Sequence, residues 1–262
     1  MRIRNQIAAA FASLVLSTAL ISSAASASFG SGPVFIGELP LESFIAPENT
    51  GLFYAESDIT MDNALISAFN SLPRQASLPM HYISQYPELP TGCESVSLTM
   101  ALNSLGFTVQ KTEIAQNYLV YADDIAQGYN GDPFAEDGAG VFPPGLVMTA
   151  NSYLKAQNSS IHAYETSGTS FNHLLAYLAC GNPVCLWVTM EYDEPWWGED
   201  YGEFEGTYYE WYWNEHCVAL GGYDLDAGTV SVYDPLNGYF EMDLEDLREL
   251  SEEIGNLSLV LR

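Results

Sequence analysis

The sequence predicts an α+β domain in which N-terminal helices pack on an antiparallel sheet that follows them in the chain. Three observations carry that reading. Residues 94–105 place Val96, Met100 and Leu105 at roughly helical spacing and stop at Gly106, a residue suited to ending a helix. The run from Pro183 through Trp187 to Met190 is short, apolar and rich in β-branched residues, the pattern of a buried strand. Residues 217–223 and 229–233 flank a turn-forming segment, 224–228, and so predict a hairpin.

Taken in order, the chain opens on a secretory signal. Arg2 and Arg4 supply a positive start, residues 7–21 an apolar stretch, and Ala25-Ser26-Ala27 a small-x-small cleavage site. The apolar stretch is short for a bilayer span and lacks a positively charged stop. Residues 28–78 read as an arm or linker with one helical candidate at 61–72; a plain tether is the default and an inhibitory pro-segment the alternative. The compact domain is expected over 79–262. It begins with an extended piece (81–85) and a Pro-rich turn (87–92), and Cys93 then opens the first helix. Further helices are expected at 111–118, 146–156 and 170–179, and strands at 161–164 and 239–242. The charged run 243–253 reads as a solvated helix face.

Charge narrows the partners. The chain carries 7 basic and 34 acidic side chains. Loss of Arg2 and Arg4 with the signal leaves 5 basic against 34 acidic, a net charge of −29. Nucleic acid and anionic membrane surfaces both require positive charge, so neither is an expected partner. The expected location is outside the cytoplasm, secreted or at the cell surface. The expected partner is a peptide or protein substrate, cationic stretches being the charge-complementary case, and the chain is expected to be a monomer.

Four cysteines (Cys93, Cys180, Cys185 and Cys217) show no CxxC and no Cys/His cluster at zinc spacing. No metal or cofactor is expected. Cys180, Cys185 and Cys217 lie in apolar surroundings and read either as core thiols or as containing one pair. The Gly/Asp-rich loop 130–138 lacks the ligand order of an EF-hand and reads as a solvated turn.

Cys93 differs from the other three. A nucleophilic thiol needs a lowered pKa, and the start of a helix favours negative charge. Of the four histidines, His216 stands at the mouth of a predicted core strand, and Asp234 ends the next strand of the same hairpin. Paired strands bring such a carboxylate beside the imidazole, where it fixes the tautomer. Gln85 is a candidate to donate its amide to an oxyanion, together with the Cys93 backbone N–H. The segment 191–215 holds four of the five tryptophans and nine carboxylates. Trp196, Trp197, Trp211 and Trp213 are the candidate substrate-binding residues, on a loop or hairpin over the cleft; ordinary packing is the alternative.

Four stretches sharpen this reading: Gln85 with Leu-Pro-Thr-Gly-Cys-Glu-Ser-Val (89–96), Gly-Asn-Pro-Val-Cys-Leu-Trp-Val-Thr-Met (181–190), Asn-Glu-His-Cys-Val-Ala-Leu-Gly-Gly-Tyr-Asp (214–224) and Val-Tyr-Asp-Pro-Leu-Asn-Gly (232–238). In that order they resemble the stand-alone relatives of the double-glycine, bacteriocin-leader-processing cysteine peptidases, within the papain-like superfamily. The resemblance covers about residues 78–247. It implies a papain-like fold with Cys93 as nucleophile, His216 as base, Asp234 as orienter and Gln85 as oxyanion donor. The transporter-linked members carry membrane spans and an ATPase that this chain lacks, so the substrate does not transfer. The expected function is thiol-dependent cleavage of a peptide or isopeptide bond; a peptidoglycan amidase or endopeptidase, and a non-catalytic binding module, are the alternatives.

Overall fold

The computed structural model describes residues 50–262. The predicted signal and residues 28–49 of the predicted arm lie outside the described residues. The helices are α1 (Asn63–Asn70), α2 (Cys93–Ser104), α3 (Lys111–Asn117), α4 (Pro143–Ala156), α5 (Phe171–Ala179) and α6 (Leu244–Glu253). The strands are β1 (Gln75–Ser77), β2 (Ala163–Glu165), β3 (Val184–Thr189), β4 (Trp197–Phe204), β5 (Thr207–Tyr212), β6 (Glu215–Asp224), β7 (Thr229–Asp234), β8 (Gly238–Asp243) and β9 (Ser258–Leu261). The predicted α+β architecture is present, with helices packed on an antiparallel sheet. Among the described residues no helix is long and apolar enough to cross a membrane.

The main sheet runs β2-β9-β3-β6-β7-β8, with β1 added along β6, and every pairing is antiparallel. Both faces are covered, which explains why β3 reads as a continuous apolar run instead of an alternating one. Successive side chains still part to opposite faces. Val184, Leu186 and Val188 pack with Leu174 and Leu178 of α5 and Leu247 of α6. Cys185 and Trp187 pack on the other face with Leu98 and Leu102 of α2 and Val147 of α4.

Helix α2 is central and buried on nearly all sides, not amphipathic. Several of its polar side chains are satisfied within the helix, Thr99 Oγ1 donating to the Ser95 carbonyl and Ser104 Oγ to that of Ala101, while the Ser95 hydroxyl is buried without a partner. Ser97 Oγ donates to the Cys217 carbonyl at 2.9 Å and so fixes α2 against β6. Gly106, just past the C-cap at Leu105, has φ of +93°, which a side chain would strain.

Three boundaries differ from the expected ones. Residues 50–78 are not a free tether: Ile59 and Leu65 are buried in the core beside α5, and β1 pairs with the end of β6. The packed structure thus begins before residue 79. Their few apolar anchors are scattered among Gly, Ser and Pro, which hides them from periodicity. The extended piece 81–85 forms no strand; Lys111 Nζ holds it by donating to the Ser84, Gln85 and Tyr86 carbonyls. The C-terminus supplies β9, which lies between β2 and β3 with all four residues buried. Four residues are too few to show a period. Helix α6 has both characters, with Leu244, Leu247 and Leu250 inward and its acidic residues outward.

Candidate active site

Cys93 is the first residue of α2, after Gly92 at the N-cap. The strand carrying His216 leaves the β4–β5 hairpin through Trp213 and Asn214. Asn214 folds that connection: its Oδ1 accepts from the Trp196 N–H and its Nδ2 donates to the Glu194 carbonyl. Asp234 ends β7, where the chain turns through Pro235.

His216 and Asp234 meet as expected, with 2.7 Å between Nε2 and Oδ1 and both side chains buried. The carboxylate has four further donors. Oδ1 also accepts from the Leu236 and Asn237 N–H groups at 2.8 and 3.0 Å. Oδ2 accepts from the Tyr192 hydroxyl at 2.8 Å and from Asn237 Nδ2 at 3.1 Å. Burial alone would raise its pKa. The hydrogen bond and charge of His216, with the two backbone donors, outweigh burial and hold Asp234 well below the usual carboxylate range. An ionised Asp234 requires the proton on Nε2 of His216, so Nδ1 is the nitrogen left for the thiol.

The thiol has other company. Cys93 Sγ donates to Glu94 Oε2 at 3.3 Å, and Glu94 Oε1 accepts from the Val141 N–H at 2.7 Å. Glu215 completes the group: one donor atom each from Cys93, Glu94 and Glu215 lies within 4.8 Å of the others. Among the described residues no hydrogen bond joins Cys93 to His216. Glu94 is bonded to the thiol and near enough to His216 to feel its charge.

The expected lowering of the Cys93 pKa is therefore not what this geometry produces. Burial first, then the charges of Glu94 and Glu215, push the thiol well up; the Cys217 backbone N–H opposes them. The helix start is real, but burial and two adjacent carboxyl groups outweigh it. Both are raised in turn, Glu94 by burial and Glu215 by burial and by Glu94.

Gln85 is buried, and the eight-residue interval to Cys93 does not carry it away. Leu89 N–H donates back to the Gln85 carbonyl and Gln85 Nε2 donates to the Pro90 carbonyl at 2.6 Å, so the loop folds on itself. The Gln85 N–H donates to the Pro235 carbonyl, linking this loop to the turn after Asp234. One amide hydrogen is thus committed and Oε1 is buried without a partner.

The predicted aromatic segment forms the β4–β5 hairpin. Trp196 and Trp213 are 64% and 63% exposed and Trp197 45%, whereas Trp211 is only 8% exposed and packs on Phe142. An edge of Trp211 joins Trp213, Tyr201, Asp123 and Asp200 around a cavity of about 270 Å³. Ala139 lines the same cavity, and next to it Gly140 lies against the Glu94 and Glu215 carboxyl groups. All four cysteines are free thiols, with Cys185 and Cys217 buried on neighbouring strands.

Glu94 and Glu215 were missed in the sequence. The signal available was adjacency alone: Glu94 directly follows the candidate nucleophile and Glu215 directly precedes the candidate base.

The chain is similar to several known proteins. A crystal structure of a candidate C39-like peptidase from Bacillus anthracis superimposes with a TM-score of 0.62 at 25% identity, over 72% of this chain and 98% of that one. Xylellain, a cysteine protease from Xylella fastidiosa, gives a TM-score of 0.45 at 16% identity over 80% and 91%, too loose to carry an argument. The uncharacterized protein YvpB of Bacillus subtilis (strain 168) is 31% identical over 150 residues, 53% of this chain and 56% of YvpB. The chain thus spans a little over half the length of that curated relative. The sequence profile of the peptidase C39-like family matches residues 77–255, and the chain belongs to that family.

Proposed function

We propose that the protein is a thiol-dependent hydrolase that cleaves a peptide or isopeptide bond outside the cytoplasm. The observation that carries this reading is the His216–Asp234 pair, held by five hydrogen bonds to Asp234, on the strands packed beside the N-terminus of α2. An imidazole fixed so firmly in one tautomer suits a general base.

In the working state the Cys93 thiol turns from Glu94 to Nδ1 of His216 and gives up its proton. The thiolate attacks the substrate carbonyl carbon, and the resulting oxyanion is met by the Cys93 backbone N–H and the second amide hydrogen of Gln85. Collapse breaks the C–N bond as the imidazolium protonates the leaving amine, leaving a thioester on Cys93. Water, deprotonated by His216, then hydrolyses the thioester. The cavity bounded by Trp213, Tyr201, Asp123 and Asp200 supports a basic side chain near the scissile bond, held by carboxylates and aromatic faces. The signal at residues 1–27 supports export.

The test is to profile the mature protein against a diverse peptide library, with Cys93→Ala as control. Turnover lost in the variant supports the reading. Turnover that survives in Cys93→Ala overturns it. Cleavage of purified peptidoglycan in place of peptides would assign the activity to the cell wall.

A further inference from the structure

Two carboxyl groups and a thiol packed together out of water are an expensive arrangement. Adjacent buried carboxylates cannot both ionise unless a proton or a cation offsets their charge. Glu94 and Glu215 are 0% and 5% exposed and Cys93 7%. Their donor atoms lie within 4.8 Å of one another, close enough to share one ion.

Polar atoms left without partners point to an occupant. Glu215 Oε1 is buried and makes no hydrogen bond. The hydroxyl of Tyr212 is likewise buried and unpartnered; its surrounding charges are Glu215, Cys217, Cys93 and Glu94, so it faces this cluster. Buried polar atoms are ordinarily satisfied, and two orphans at one cluster mark a place for a ligand. Gly140 keeps the place open: an added Cβ would stand 2.7 Å from Glu94 Oε1 and 3.0 Å from Glu215 Oε2.

We infer that Cys93, Glu94 and Glu215 form a binding site for a divalent cation of the zinc type, with Tyr212 positioned to hydrogen-bond its ligands, and that occupancy holds the thiol away from His216. Sulfur in the ligand set selects a borderline metal over Mg²⁺ or Ca²⁺, and three protein ligands leave a position for water. Binding replaces the thiol proton by the metal–sulfur bond and the proton shared by the two carboxyl groups by metal–oxygen bonds, releasing both protons to solvent with no redox change. The ion therefore acts as a reversible block. The blocking role rests on Cys93 being the nucleophile of the proposed hydrolase; the site itself does not.

The test uses the reduced, metal-stripped mature protein and Co²⁺ as a spectroscopic probe. The expected result is a one-to-one thiolate-to-cobalt charge-transfer band, displaced by Zn²⁺ and not by Mg²⁺. The band should be lost in Cys93→Ser, and Co²⁺ binding should weaken at least about tenfold in Glu215→Gln. Glu94→Gln keeps the carbonyl that accepts from Val141 and serves as a second variant, with thermal melts checking that each is folded. Zn²⁺ should also slow alkylation of Cys93 in the parent protein. A band that survives in Cys93→Ser, unchanged affinity in a folded Glu215→Gln or Glu94→Gln, or no one-to-one binding would overturn the site and leave a shared proton between the two carboxyl groups. A Cys93-dependent band in a protein that hydrolyses nothing would retain the site and remove the hydrolase reading.

Discussion

Two carboxylate centres flank the candidate machinery, and they are built in opposite ways. At one end Asp234 accepts five hydrogen bonds and holds its charge in a buried setting. At the other, Glu94 and Glu215 face each other and the thiol, and Glu215 keeps an unpartnered oxygen. Burial is common to both; the supply of donors is not. Donors keep Asp234 an anion beside His216 over the ordinary pH range, whereas their scarcity leaves the Glu94–Glu215 pair dependent on whatever neutralises it.

The sharpest way to break this comparison is to empty the Asp234 end. Asp234→Asn should lower kcat/KM by between about 10² and 10⁴-fold, because the imidazole loses the anion that fixes its tautomer. Steady-state kinetics on a cleavable peptide read this, and near-parental kcat/KM would show that the pair is only structural.

A smaller effect is expected from crowding the other end. Gly140→Ala would force a Cβ against both carboxyl groups at φ of +133°, costing on the order of 1–3 kcal/mol by urea denaturation. Unchanged stability would mean that the two carboxyl groups move apart freely.

Acid should act on the two kinds of carboxyl with opposite sign. The folded pKa of Asp234 is depressed, so its contribution is present above its unfolded value of 3.8 and is lost as pH falls through the folded value. Glu165 behaves in the reverse sense. Burial raises it to about 7, so its contribution is present below its unfolded value of 4.5 and is lost as pH rises through about 7. Glu165→Gln should flatten the decline of Tm with pH in that window, a smaller change than the other two. A decline unaltered by Glu165→Gln would place its cause elsewhere.

Much of this arrangement was legible in the residues. The period of 94–105, the apolar run of β3 and the turn chemistry at 224–228 each report local backbone preference, and each became an element close to its expected bounds. Asp234 could be set beside His216 because hairpin pairing is local. What escaped depends on contacts distant in sequence. Short β1 and β9 exist only because β6 and β3 offer edges to pair with. The raised thiol of Cys93 follows from its burial, then from Glu94 beside it and from Glu215, which arrives at the same spot from 122 positions further along the chain. Helix position could be read from the sequence; its electrostatic company could not. Gln85 shows the same limit, since the folded 85–92 loop and not its length decides where the amide lies.

The central claim is that Cys93 is the reacting thiol, and its rate of alkylation tests that most directly. In the reduced mature protein carrying Cys180→Ser, which removes the half-buried thiol, labelling at each cysteine is followed by mass spectrometry. The account predicts that Cys93 labels fastest, that peptide substrate protects it, and that Asp234→Asn slows it while Cys185 and Cys217 stay unlabelled. An inert Cys93 in the folded protein, with Cys185 or Cys217 reacting instead, would contradict it.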